Sequence, residues 1–215
     1  MTTRPRLLDL YCGAGGGAVG YWLAGFDVTG VDIARQPNYP FRSVVADALT
    51  YPLDGYDVVH ASPPCHDHST LRSTYNAHGT GWLLAATLDR LAAHGAPWIV
   101  ENVGGARAEM GGAWVTLCGS SFGLGVRRHR LFATSFALLV PPCAHYLQPE
   151  PVDVTGGGPL AGGSRPGHRK PRGLSEARAA MGIGWMTRAE LNRAIPPAYT
   201  EFIGEQLLAY VEMIA

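Results

Sequence analysis

The sequence predicts an α/β protein whose mostly parallel sheet is covered by helices on both faces. Three observations carry that prediction. Short apolar runs alternate with helical stretches, a glycine-rich string joins the first strand to the first helix, and acidic residues close the next two strands. At 215 residues, 47% hydrophobic and 16% charged, the chain is long enough to bury one substantial core, so one domain is the default.

Residues 6–11 form the first strand and run into CGAGGGAVG, after which a helix over 18–24 is closed by Gly25. The apolar run 26–33 carries Asp32 near its end, and the run 43–46 leads into Asp47, so both acids stand at strand C-termini. A fourth strand over 57–61 runs into SPPC, a helix spans 81–94, and a strongly apolar strand follows at 98–100. One further strand is expected at 131–133. Beyond it a Pro- and Gly-rich stretch from 141 to 173 reads as a long loop. Helices are then expected over 175–181, over 187–192 and from 197 onward, the last started by Pro196-Pro197. The expected organisation is a core over 1–134, a short Gly/Pro/basic insertion over 135–173 and C-terminal helices over 174–215. No internal repeat or heptad pattern interrupts it.

The formal charge is zero, which removes bulk electrostatics as an argument for a polyanionic partner. The segments 127–130 and 165–178 are locally basic and would suit phosphates or simply face solvent. No run is long and apolar enough to span a membrane, and the first residues lack a secretory signal's apolar stretch, so a cytoplasmic protein is expected. In that setting Cys12, Cys65, Cys118 and Cys143 read as free thiols.

A glycine turn between strand and helix lets backbone amides and a helix N-terminus approach a ligand closely. Together with Asp32, placed to meet a ribose hydroxyl, it points to a nucleoside cofactor, in an oxidoreductase as readily as in a transferase. SPPC separates the two. Its prolines stiffen the backbone and hold the Cys65 thiol at the edge of a parallel sheet where ligands bind. For a cysteine taken alone, a half-buried structural thiol is the simpler reading. His66 and His68 lie beside it, but with no second CxxC or HxxxH cluster no metal site is expected.

Taken in order, DLYCGAGGGAVGYWLAGF, ASPPCHDHS, ENV, RRHRLF and IPPAYTEFIGEQL resemble the motifs of the DNA cytosine-5 methyltransferase family. The likeness covers nearly the whole chain and is closest in character to compact phage and mobile-element members. It implies a Rossmann-like S-adenosylmethionine-dependent methyltransferase fold, a DNA substrate, S-adenosyl-L-methionine as donor and S-adenosyl-L-homocysteine as product, in a monomer. It further implies that Cys65 attacks cytosine C6 while Glu101 serves N3, with Asn102 holding the loop and Arg128 and Arg130 contacting the base or orienting Glu101. The donor would lie among Asp9, Tyr11, Cys12, Gly13 and Gly15, with Asp32 and Ile33 at the ribose and Asp47 and Ala48 at the adenine. Pro63 and Leu83 would pack nearby, and Asn192, Arg193 and Ala194 would complete the site. Ser69, Arg165, Arg169, Lys170 and Arg172 are the candidate nucleic-acid contacts. Base flipping, or a single-stranded substrate on which Tyr146 stacks, follows from the need to reach the base.

The chain departs from the family in three places. The segment after RRHRLF is short where most members carry a large target-recognition region, Val126 stands where Gln is usual, and Arg193 stands where an Asn lies near the transferred methyl. An arginine beside a sulfonium cation needs an anion between them. Carboxy-S-adenosyl-L-methionine would supply one, with 5-carboxymethylcytosine as the product, whereas an outward-facing Arg193 leaves ordinary methylation, with Asn192 standing in. A nicotinamide-dependent oxidoreductase and a catalytically silent DNA-binding homologue are the rival classes.

Overall fold

A computed structural model describes residues 4–64, 81–155 and 167–214. Cys65, His66, His68, Ser69 and Arg165 lie outside the described residues. The sheet has seven strands, β1 Arg6–Leu10, β2 Asp27–Asp32, β3 Arg42–Val45, β4 Val58–Ala61, β5 Trp98–Asn102, β6 Trp114–Leu117 and β7 Arg130–Thr134, in the order β3-β2-β1-β4-β5-β7-β6. The first five run parallel, and β7 is antiparallel to both β5 and β6. Chain order reverses between β1 and β4. Such a switch point opens a crevice at the C-terminal ends of the strands, and both the glycine turn and Ser62-Pro63-Pro64 emerge there.

Alternation along the strands sends their side chains to two cores. On one face Leu7, Val28, Val58, Ile99 and Phe132 pack under helices α1 (Gly16–Ala24) and α5 (Pro197–Ile214), through Ala18, Tyr21, Tyr199, Ile203 and Leu207. On the other, Leu8, Leu10, Val59, Val100 and Leu131 meet Leu84 and Leu91 of α2 (Trp82–His94). Helices α1 and α5 touch through glycines. A Cβ on Gly20 would lie 2.1 Å from both Pro197 O and Thr200 Oγ1, and one on Gly204 would lie 2.5 Å from Ala24 Cβ.

A third apolar cluster joins Ala14 of the glycine turn to α3 (Leu174–Met181) and α4 (Arg188–Leu191) through Ala177, Met181, Met186, Leu191 and Ala194. Helix α4 is short but closed by a reciprocal cap, the Thr187 hydroxyl accepting from Glu190 N–H and the Glu190 carboxylate accepting from Thr187 N–H.

The elements expected from the sequence are present, with shifts at their ends. The first strand stops at Leu10 because Tyr11 turns left-handed, with φ 59°, and α1 begins at Gly16. The fifth strand runs on to Asn102, and β6 was not expected. Within the long 141–173 stretch the described residues include a turn at His145–Leu147 and a parallel bridge between Val152 and Arg169. No helix among the described residues is long and apolar enough to cross a membrane.

Candidate active site

The glycine turn is held open by its backbone. Tyr11, Gly13 and Gly15 have φ of 59°, 49° and 80°. Gly15 N–H donates to Cys12 O at 3.1 Å, and Cys12 N–H donates to Val31 O at 3.1 Å, which ties the turn to β2. A Cβ on Gly15 would strike Pro40 at 2.7 Å, whereas one on Gly13 would meet nothing within 4 Å among the described residues. Open space therefore lies against the Gly13 backbone, as a ligand cradle requires. The Cys12 side chain is buried, with its Sγ 2.8 Å from a Cβ built on Gly30, and so packs the turn.

Acids lie at the turn and on the neighbouring strand ends. Asp32 accepts from Gly13 N–H at 3.1 Å and Ala34 N–H at 3.0 Å, so one oxygen steadies the turn and the other the chain just beyond β2. Asp9 is buried on β1 and accepts a hydrogen bond from Tyr39 Oη at 3.2 Å. Burial pushes its carboxyl up to about 7, with the Tyr39 bond opposing and the Asp32 charge adding to the rise. Asp47 accepts from Leu49 N–H at 2.9 Å, and the neighbouring Ala48 is buried with its carbonyl held by Arg90 Nη1 at 2.7 Å. Tyr11 Oη lies 3.1 Å from Thr87 Oγ1, which donates to Leu83 O at 2.6 Å, so the start of α2 joins the same wall. Ile33 is 74% exposed beyond β2, an apolar surface open among the described residues.

The C-terminal segment closes on this turn. Trp185 Nε1 donates to Ala14 O at 2.9 Å, and a Cβ on Gly16 would lie 2.3 Å from Ile195 O and 3.4 Å from Ala194 Cβ. Asn38 Nδ2 donates to both Glu190 oxygens at 3.0 Å, linking the β2–β3 connection to α4. Arg193, one residue before Ala194, is exposed; against the upward push of burial, hydrogen bonds from Thr187 and Asn38, with a lesser part from the Arg193 charge, hold the Glu190 carboxyl below the ordinary range.

A second group of residues gathers at the ends of β4, β5 and β7. Glu101 is buried on β5, with Arg130 Nε of β7 at 2.8 Å from its Oε1. That contact is an ion pair; Oε1 makes no aligned hydrogen bond among the described residues. Burial raises the Glu101 carboxyl above its ordinary value, against the lowering effects of Arg130, Arg128 and a Ser62 hydrogen bond. Asn102 Nδ2 donates to the buried Pro63 carbonyl at 3.3 Å, fastening the β5 end to the segment that leads to Cys65.

The two arginines have different roles. Arg130 faces Glu101, while buried Arg128 donates to Val154 O at 2.8 Å and Asn192 O at 2.7 Å. Arg128 thus ties the insertion and the C-terminal segment together. Of the expected phosphate contacts, Arg169 is paired with Glu176 of α3 at 2.7 Å, and Arg172 N–H also donates to Glu176. Lys170 directly follows Arg169 in sequence, and Tyr146 is exposed elsewhere on the insertion.

Sequence reasoning missed a buried chain behind Glu101. Tyr21 Oη lies 2.9 Å from His60 Nδ1, His60 Nε2 lies 2.8 Å from Ser62 Oγ, and Ser62 reaches Glu101. Burial lowers His60 to about 3, so its ring is neutral. Only one assignment lets Ser62 donate to a Glu101 carboxylate: Nε2 carries the proton and Nδ1 accepts from Tyr21. A lone histidine inside an apolar strand offers no sign of this in sequence.

No protein-family model and no curated protein matches the chain. Solved structures do. A protein described as a DNA modification methyltransferase encoded within an E. coli prophage aligns over 97% of this chain and 99% of its own, with TM-score 0.67 and 13% identity. The Entamoeba histolytica methyltransferase EhMeth aligns over 100% of both chains, with TM-score 0.61 and 12% identity. The fold is therefore the Rossmann-like fold of those methyltransferases, a mostly parallel seven-stranded sheet with flanking helices.

Proposed function

We propose that this chain is a DNA cytosine-5 methyltransferase that uses S-adenosyl-L-methionine and releases S-adenosyl-L-homocysteine. One observation carries the reading. Glu101, a buried carboxyl raised by its surroundings and paired with Arg130, stands at the same sheet edge as an open glycine turn and the Ser62-Pro63-Pro64 segment.

The reacting carbon explains the residue types. Cytosine C5 becomes nucleophilic only after addition at C6, and in this reading the Cys65 thiolate makes that addition. Glu101 holds a proton toward N3, a task suited to a carboxyl whose proton affinity is raised, while Arg130 fixes its orientation. The bound donor supplies an electrophilic methyl group for C5. Loss of the C5 proton to water, departure of Cys65 from C6 as thiolate and return of the N3 proton to Glu101 then restore the aromatic ring. The residues present fit such a donor: Gly13 faces open space, Asp32 and Asp47 edge it, and Asp9 offers a carboxylate to a cationic group. The target base must leave its stack.

The carboxymethyl alternative rests on Arg193. Arg193 is exposed and precedes Ala194 in sequence, and Ala194 packs near the glycine turn. Glu190, whose carboxylate is held by Thr187 and Asn38, also feels the Arg193 charge, so an anion of the fold lies in the field of this arginine. Methyl transfer stays the first reading because it asks nothing further of Arg193.

Trapping on DNA containing 5-fluorocytosine tests the proposal, since fluorine blocks the final elimination. A covalent adduct is expected with the wild-type chain and donor, and none with Cys65→Ala. Absence of any adduct would point instead to a silent DNA-binding homologue. A rise in melting temperature with NAD but not with S-adenosyl-L-homocysteine would favour an oxidoreductase.

A further inference from the structure

Away from the candidate active site, Cys118, His129, Cys143 and His145 bring two thiols and two imidazoles to one point, with every ligand atom within 4.8 Å of the others. Cys118 Sγ lies 3.3 Å from His145 Nε2, and Cys143 Sγ lies 3.5 Å from His129 Nε2. A tetrahedral zinc ion with bonds of about 2.0–2.3 Å sets its ligand atoms roughly 3.3–3.8 Å apart, so the four side chains need only a small inward adjustment. We propose that these residues form a structural zinc site that clamps the short insertion to the β6–β7 edge of the sheet.

The donor set selects the metal class. Two sulfurs and two imidazole nitrogens suit zinc and offer nothing to magnesium or calcium, which take oxygen ligands. Four protein ligands also close the coordination sphere, as structural rather than catalytic zinc requires. Supporting contacts hold the approach of the chains: Ser120 Oγ lies 3.1 Å from Cys118 Sγ and accepts from Ala144 N–H at 3.0 Å, and Ser121 Oγ donates to Pro142 O at 2.8 Å. Cys118 is buried while His129 and Cys143 are exposed, so the point is reachable from solvent.

The fold has a reason to use a metal here. No residue from 137 to 150 is buried, and the only regular structure in that stretch is the turn His145–Leu147. Such a segment has no core of its own to hold it. The four ligands join three parts of the chain: Cys118 just after β6, His129 just before β7, and Cys143 and His145 in the insertion. His129 lies between Arg128 and Arg130, so a loaded site would also fix the strand that presents Arg130 to Glu101. The sequence spacing hid all of this, because only the Cys143-Ala144-His145 pair is local and no metal was expected.

Metal analysis of the full chain, purified under reducing conditions without added metal, tests the site independently of activity. About one zinc per chain is expected, falling below a tenth in Cys143→Ser and in His145→Ala, while Cys65→Ala keeps its zinc. Cobalt added to the chelated protein should give the visible absorption of a tetrahedral thiolate complex, absent in both ligand variants. Chelation should lower the wild-type melting temperature by several degrees, restored by zinc, and leave the Cys143→Ser value unchanged. Failure of the chain to retain zinc after exposure to it would overturn the proposal. So would full zinc in both ligand variants, or a mass two daltons low that shows Cys118 and Cys143 joined as a disulfide.

Discussion

Replacing Asp9 by Asn tests how much proton linkage one buried acid builds into this fold. Asp9 has an ordinary value of 3.8 and is raised to about 7 by burial, so between those values the folded chain holds a proton that the unfolded chain has lost. Stability is therefore highest in acid and falls as pH rises through the folded value. At 1.36 kcal/mol per pKa unit, the full span is about 4 kcal/mol, and the part between about pH 5 and about pH 8 is on the order of 2–3 kcal/mol. Asn keeps an acceptor for Tyr39 Oη but carries no charge. In urea denaturation the Asp9→Asn chain should gain that 2–3 kcal/mol on the wild type as pH goes from about 5 to about 8, because all other groups are shared. Calorimetry should show S-adenosyl-L-homocysteine binding the wild type more tightly as Asp9 ionises, and weak, pH-independent binding in the variant. Parallel stability profiles for the two chains would refute the reasoning.

Arg130→Met would strand the buried Glu101 charge, costing about 3–5 kcal/mol in denaturation at alkaline pH and less in acid, where Glu101 takes up its proton. The double variant with Glu101→Gln should recover most of that loss; a loss equal at all pH values would contradict it. Gly20→Ala should cost about 1–3 kcal/mol in denaturant midpoint, since its Cβ meets α5 backbone, yet leave donor affinity intact in calorimetry. Gly13→Ala should cost roughly 1–2 kcal/mol for its left-handed backbone and, unlike Gly20→Ala, should also bring a marked loss of donor binding.

Much of the fold was legible because its signals are local. Gly25 ends α1, Asp32 ends β2, and the apolar run before Glu101 marks a buried parallel strand. The WVTL strand β6 was not, since it is short, half-buried and follows the glycines at 104, 105, 111 and 112, so neither alternation nor a long apolar run announces it. The site divided along the same line. Glycine, acid and motif positions could be placed from sequence, whereas the Tyr21–His60–Ser62 chain, the structural duty of Arg128 and the Cys118–His129–Cys143–His145 cluster arise only when distant segments meet. The Arg169–Glu176 pair is a related case: a basic run read as phosphate contacts includes a charge already answered within the fold.

The proposed chemistry comes down to which atom of DNA is changed and what is added to it. Digestion of DNA incubated with the protein and either S-adenosyl-L-methionine or carboxy-S-adenosyl-L-methionine, followed by mass analysis of the nucleosides, reads both at once. The account predicts 5-methylcytosine with the first donor, abolished by Cys65→Ala and by Glu101→Gln and retained in Arg193→Asn. Unmodified cytosine with both donors, or 5-carboxymethylcytosine formed in preference and lost in Arg193→Asn, would contradict it.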